Sequence, residues 1–313
     1  MKRMLLAVLA DGMYSGRFSD YINHHKNMLI DLVTFTSINS AEEYLKNGSA
    51  DILLVSGDMA CEAGKLKNIK KIIILSDGSY TGAQEYPVIF KYQPAAHILK
   101  EIFAQVAEDD TIQGMPVIHT SKQAELIVVF SPYGGSGAST YARNLCAGMA
   151  GSNNVLYINL EIFDSFAEFE SSTDNHEYIC GMSEVVYYIK QKKDKLAFKL
   201  GSVIKRHKDG YNYILPVEDY RDLYSISPED MECFTDVLAS GMMYDKVVFD
   251  TGYVHESLLK LLQVCDVLIL PEASAQIQEN KQHSFERLLI RNGMDNVVQN
   301  IQYIEMKGRW DAN

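Results

Sequence analysis

Residues 126–147 read LIVVFSPYGGSGASTYARNLCA: five apolar residues, a turn holding three glycines, then a segment free of glycine and proline. Strand, glycine turn and helix in that order are the context a phosphate-binding loop requires. Glycines let successive backbone N–H groups turn inward around an oxyanion, and the helix start adds the positive end of its dipole. The stretch therefore predicts Gly134, Gly135, Ser136, Gly137, Ala138, Ser139 and Thr140 as a nucleotide-phosphate site.

The surroundings repeat the strand-and-helix pattern. Short runs rich in Val, Ile and Leu alternate with polar segments of helical length, as expected of parallel strands buried on both faces. After the loop, strands are predicted at 155–159, 211–215, 246–250, 266–270 and 297–303, with helices at about 138–150, 182–194, 228–241, 254–263 and 274–292. Before it, strands are predicted at 4–10, 29–35, 51–55, 71–75 and 87–91, with helices at 15–26, 40–47, around 60–68 and at 94–107. Five strands with four helices between and after them describe a flavodoxin-like unit. The segment 109–124, DDTIQGMPVIHTSKQA, has no sustained period and reads as a linker. The expected fold class is thus α/β in two domains, 1–108 flavodoxin-like and 125–313 doubly wound around the glycine loop.

Composition narrows the function classes. With 47% hydrophobic and 22% charged residues in 313, the chain has the makings of two cores without metals or disulfides. Its five cysteines are scattered, with no CxxC, which argues for a reducing cytoplasm and against a zinc cage. Residues 1–108 carry 11 Lys and Arg against 12 Asp and Glu, and 109–313 carry 18 against 29, a balance that opposes general DNA or anionic-lipid binding. The exception is 190–208, with eight basic residues and one acid, which reads as a solvated helix face and loop. No run approaches the roughly 20 apolar residues of a membrane span, and the apolar start ends at Asp11 as a buried strand would. The tail after Tyr303 is too short and too polar for an amphipathic membrane helix, so no direct membrane insertion is expected.

Tyr133-Gly134-Gly135-Ser136-Gly137-Ala138-Ser139-Thr140 resembles the deviant Walker pattern KGGxGK[ST][ST] of the MinD/ParA family. All three glycines and both hydroxyls are kept. Tyr133 stands at the signature lysine and Ala138 at the Walker lysine. Asn159 and Glu161 stand where the family has the aspartates of a D-x-D segment, and Asp250 ends a strand resembling its Walker B segment. The strand ending in Pro271 resembles the next one, which leads toward the base pocket. The resemblance implies ATP and Mg²⁺ as cofactors, with Ser139 and Asp250 as the metal residues, and a homodimer paired across the loop face, Tyr133 serving as contact.

The first third is similar to response-regulator receiver domains. Asp11 follows strand 1, Ser76 ends strand 4, and Lys91 ends strand 5. Ser56 stands where a receiver has its phosphorylated aspartate, and a serine without an activating base is a poor nucleophile. Asp58, two residues on, lies past the strand end and is expected to aim elsewhere. A receiver-like unit preceding a MinD-like one resembles the TadZ/CpaE group. That implies a cytoplasmic factor, recruited to a pole or to an inner-membrane complex, that helps assemble Flp (Tad) type IV pilus machinery with pilus or secretion proteins as partners. Loss of both lysines favours a weakly catalytic scaffold over an active partition-type ATPase using another cation such as Lys190, Lys192 or Lys193.

Overall fold

Two mainly parallel sheets organise the chain in the computed structural model, which describes residues 3–24, 30–80, 86–112, 124–162, 181–241 and 244–305. The chain divides into two compact units, Met1–Pro116 with Ala197–Ser202, and Val117–Leu196 with Val203–Asn313.

The first unit runs β1 (Met4–Leu9), α1 (Gly12–His24), β2 (Ile30–Phe35), α2 (Ile38–Asn47), β3 (Ala50–Ser56), α3 (Ala60–Ala63), β4 (Ile69–Ser76), β5 (Val88–Phe90) and α4 (Ala95–Glu108). Its sheet order is β2-β1-β3-β4-β5, parallel at every pairing. This is the flavodoxin-like order of a doubly wound sheet. Leu6 to Leu9 and Ile52 to Val55 are fully buried, which is why β1 and β3 read as unbroken apolar runs. Ser37 caps α2 by accepting the Ser40 N–H at 3.3 Å, and Pro94 precedes α4. The sequence reading places no helix between β4 and β5. Residues 77–80 there are not helical, and 81–85 lie outside the described residues. The segment read as linker begins inside the fold: Lys71 Nζ donates to Asp109 at 2.8 Å, and Ile112 is buried. Burial raises the Asp109 carboxyl, but Lys71 and the Thr111 hydroxyl and N–H outweigh it and bring the group down to about 2. Residues 113–123 of that segment lie outside the described residues.

The second unit begins with β6 (Glu125–Phe130), α5 (Ala138–Met149), β7 (Val155–Asn159) and α6 (Met182–Gln191); α7 (Leu196–Val203) follows, its residues Ala197–Ser202 counted with the first unit, and the second resumes with β8 (Lys205–Arg206) and β9 (Asn212–Ile214). It continues with α8 (Tyr220–Ser225), α9 (Pro228–Gly241), β10 (Lys246–Thr251), α10 (Glu256–Val264), β11 (Val267–Pro271), α11 (Gln276–Arg291), α12 (Asp295–Gln299) and β12 (Ile301–Ile304). The sheet order is β12-β11-β6-β10-β7-β9-β8, with β8 antiparallel to β9. Strand β6 sits at the switch point, with β10 on one side and β11 on the other. Crevices at the carboxyl ends of strands beside such a point are where ligands bind in open α/β sheets.

Three expectations are corrected. The strand expected at 297–303 is half helix: Gly293, with φ of 70°, closes α11, and α12 turns once with Val297 inward before β12 pairs with β11. The helix expected at 182–194 stops at Gln191, and α7 and α8 were not anticipated. The basic stretch 190–208 is not simply a solvated face. Leu196, Leu200 and Val203, spaced along one side of α7, are buried, and Lys195 and Lys199 go in with them. Lys190 and Lys193 pair with Asp230 at 3.3 and 2.9 Å, so neither supplies the charge missing from the glycine loop.

Candidate functional site

The loop between β6 and α5 is shaped by its glycines. Gly135 and Gly137 take left-handed backbone, φ 71° and 82°, which side chains with a Cβ rarely adopt. A Cβ built on Gly134 or Gly135 meets nothing within 4 Å, so the loop faces open space wide enough for an oxyanion. Ser131 Oγ donates to the Tyr133 carbonyl at 2.5 Å and Ser136 Oγ accepts the Ala138 N–H at 3.3 Å, which ties the turn from inside. Behind it, Ala138, Ala142 and Cys146 form the buried stripe of α5, and their small side chains let the helix lie close on β7 and β10. Thr140 is exposed.

Asp250, near the end of β10, is 1% exposed and is the centre of the site. Ser139 Oγ donates to its Oδ1 at 3.3 Å, and the Tyr157 hydroxyl donates to its Oδ2 at 2.7 Å. The register of β10 with β7 sets Asp250 opposite Asn159, and the Asp250 carbonyl accepts the Leu160 N–H at 2.8 Å. Asn159 Oδ1 accepts the Glu161 N–H at 2.8 Å. Glu161 then crosses Gly252, where an added Cβ would lie 2.9 Å from Oε1, so a larger residue there would displace the end of the Glu161 side chain. The fold thus gathers Gly134 to Ser139, Asn159, Glu161 and Asp250 at one edge of the sheet.

The electrostatics follow from burial. The Tyr157 phenol is held protonated far above its ordinary range by desolvation and then by the Asp250 carboxylate. The Cys146 thiol is pushed up by the same two causes, in the same order. Arg143, whose Nε donates to the Ser139 carbonyl at 3.3 Å, is the cation that acts on Tyr157. The donor set fits a nucleotide with Mg²⁺: turn N–H groups for phosphate oxygens, and the Ser139 hydroxyl beside the Asp250 carboxylate for a hydrated divalent ion. Magnesium held there would supply positive charge to the phosphate groups.

Two tyrosines depart from the sequence reading. Tyr133 is buried, and its hydroxyl donates to the carbonyls of Pro271 and Glu272 at 3.2 and 3.3 Å. The expectation that it projects as a contact for a second copy is therefore corrected: its apolar ring packs inward and its hydroxyl ties the loop to the end of β11. Tyr157 was not anticipated at all. Its signal was present, because it precedes Asn159 by two residues and strand alternation puts both on one face.

At the carboxyl ends of the first sheet, Lys91 Nζ donates to Asp11 Oδ2 at 2.9 Å and lies 5.0 Å above the Tyr14 ring. The Tyr14 N–H donates to Asp11 Oδ1 at 2.9 Å; this bond first, and Lys91 second, hold the Asp11 carboxyl below its usual range. Ser76 Oγ accepts the Gly78 N–H at 3.0 Å. Ser56 ends β3, is 8% exposed, and lines a cavity of about 560 Å³ with Asp11, Asp58, Asp77 and Lys91. Asp58, expected to aim elsewhere, shares this wall because the chain tightens into a 3₁₀ turn at Gly57–Met59. No group of three or more His, Cys, Asp or Glu placed to hold a metal exists among the described residues.

No protein-family model and no curated protein matches this sequence. Solved structures do match over part of this chain. A putative plasmid partition protein from Borrelia burgdorferi B31, bound to AMPPNP, is 18% identical over 61% of this chain and 78% of its own, with a TM-score of 0.46. A ParA family ATPase from Chlorobium tepidum is 15% identical over 59% and 74%, with a TM-score of 0.47. Cobyrinic acid a,c-diamide synthase from Mycobacterium smegmatis, with bound ATP analogue and magnesium, is 14% identical over 57% and 72%, with a TM-score of 0.42.

Proposed function

We propose that this protein is a nucleotide-binding assembly and positioning factor of the TadZ/CpaE kind, serving Flp (Tad) pilus machinery, that binds Mg-ATP weakly and scarcely hydrolyses it. The observation that carries the reading is the contrast within one loop. Its glycine backbone and the Ser139–Asp250 pair are intact, while the lysine positions hold Ala138, buried in the core, and Tyr133, turned inward onto Pro271 and Glu272. Binding rests on backbone donors and a metal; turnover needs cations where charge develops on the transferring phosphoryl group. The protein acts as a homodimer, and its receiver-like first unit, with Ser56 at the acceptor position, offers a surface to pilus or secretion proteins instead of a phosphorylation switch. No helix among the described residues is long and apolar enough to cross a membrane, so recruitment to a pole or to the inner-membrane complex runs through those partners.

The test joins calorimetry with Mg-ATP, a steady-state ATPase assay and light scattering. Expected are measurable binding, turnover about 10³- to 10⁵-fold below an ordinary P-loop ATPase, and a particle of twice the 35.3 kDa chain. Fast turnover would replace this reading with a partition-type ATPase. A monomer with and without nucleotide would remove the dimer.

A further inference from the structure

We infer that Tyr157 is a positioning residue for the metal half of the nucleotide site: it holds Asp250 so that one carboxylate oxygen is fixed on Ser139. This rests on the nucleotide reading above. A carboxylate on a strand end turns easily about its last torsion, a broad and nearly two-fold rotor. At Asp250 that freedom is removed from below. Tyr157 lies on β7, diagonal to Asp250 across the β7–β10 pairing, and its hydroxyl takes Oδ2 at 2.7 Å while both residues are 1% exposed. Oδ1 is thereby left toward α5, where Ser139 Oγ reaches it at 3.3 Å.

Burial restrains the ring. Tyr157 belongs to the same buried cluster as Ala142, Cys146, Val155, Tyr211 and Val248, with the Tyr211 ring 6.2 Å away edge-on. A phenylalanine would fill this space as well, so the hydroxyl's contribution is to the direction of the carboxylate and not to packing. Ser139 donates its proton to Oδ1 and keeps its lone pairs for a metal ion, a geometry that holds only while Oδ1 faces it. In a loop without lysines, more of the positive charge on the phosphates has to come from the metal, so the orientation of Asp250 governs how much Mg²⁺ strengthens binding.

The experiment compares ATP affinity by calorimetry with Mg²⁺ and with EDTA, in the full chain and in Tyr157→Phe. The expected result is that Mg²⁺ strengthens binding in the wild type and that this enhancement falls about tenfold in the variant, while metal-free affinity stays within about twofold. Equal losses in both conditions would reduce Tyr157 to a structural residue and overturn the proposal, as would an unchanged enhancement. A double-mutant cycle with Asp250→Asn guards against a folding defect. Tyr157→Phe must add little to the loss of enhancement already caused by Asp250→Asn, whereas independent additive losses contradict the coupling. If the wild type binds no ATP in either condition, the nucleotide reading itself fails, and this inference with it.

Discussion

At the carboxyl ends of the first sheet, charged groups are paired around a hydroxyl. Lys91 bonds Asp11, Ser76 ends β4, and the strand between them ends in Ser56. At the same edge of the second sheet the arrangement is one of backbone. Gly135 and Gly137 turn the loop and Ser139 meets Asp250, while Ala138 and Tyr133, neither of them a cation, flank the glycines. The difference teaches where each chemistry resides. A nucleophilic step depends on the one side chain that attacks and on the base that activates it. Phosphate binding depends on N–H groups that every residue carries, so it persists when side chains change.

The sharpest way to break this comparison is to restore a charge to the second site. Ala138→Lys is expected to tighten Mg-ATP binding about 10- to 150-fold, the equivalent of one charge-assisted hydrogen bond of about 1.5–3 kcal/mol. Because Ala138 is only 8% exposed, the new side chain must leave along the mouth of the loop to reach phosphate. Calorimetry showing unchanged affinity would mean that the loop no longer cradles a nucleotide.

A smaller effect is expected from the inward tyrosine. Tyr133→Phe keeps the buried ring but strands two carbonyls, those of Pro271 and Glu272. Urea unfolding should show a loss of about 0.5–1.5 kcal/mol. No loss would mean that the hydroxyl is not what ties the loop to β11.

In the first unit the surviving ion pair is worth less, since Asp11 is 57% exposed at its side chain. Lys91→Met should cost at most about 1 kcal/mol near neutral pH. The sign follows from the lowered Asp11 carboxyl: its contribution is present above the ordinary carboxylate range and fades as pH falls through the lowered value. Denaturant melts at neutral and at strongly acid pH should therefore show the gap between variant and wild type narrowing in acid. A gap that widens in acid would contradict the pairing.

The smallest expected signal is none. Acetyl phosphate should leave the protein unlabelled, because a serine is a poor nucleophile unless a base activates it and Asp58 sits past the strand end on a 3₁₀ turn. Label that appears in the wild type and vanishes in Ser56→Ala would show that the first site retained its reaction.

Most of the architecture was legible because it depends on local properties. Unbroken apolar runs specify strands buried on both faces, and three glycines between a strand and a helix specify a turn that other residues would strain. Those properties alone determined two α/β units and the place of the loop; Ser139 and Asp250, its hydroxyl and acid, were picked out by the resemblance of their segments to a Walker pattern. What failed was local as well: 297–303 is apolar enough for a strand, but the helical turn that begins at Asp295 runs on into it. Tertiary structure alone decided the partners. Tyr157 meets Asp250 across 93 positions of chain because β10 inserts between β6 and β7, and Tyr133 finds Pro271 across 138 because β11 takes β6's other side. Lys91 reaches Asp11 across 80. Strand order is set by how all the buried faces pack at once, so the sequence by itself determined which groups stand at the strand ends, and the packed sheet decided which of them touch.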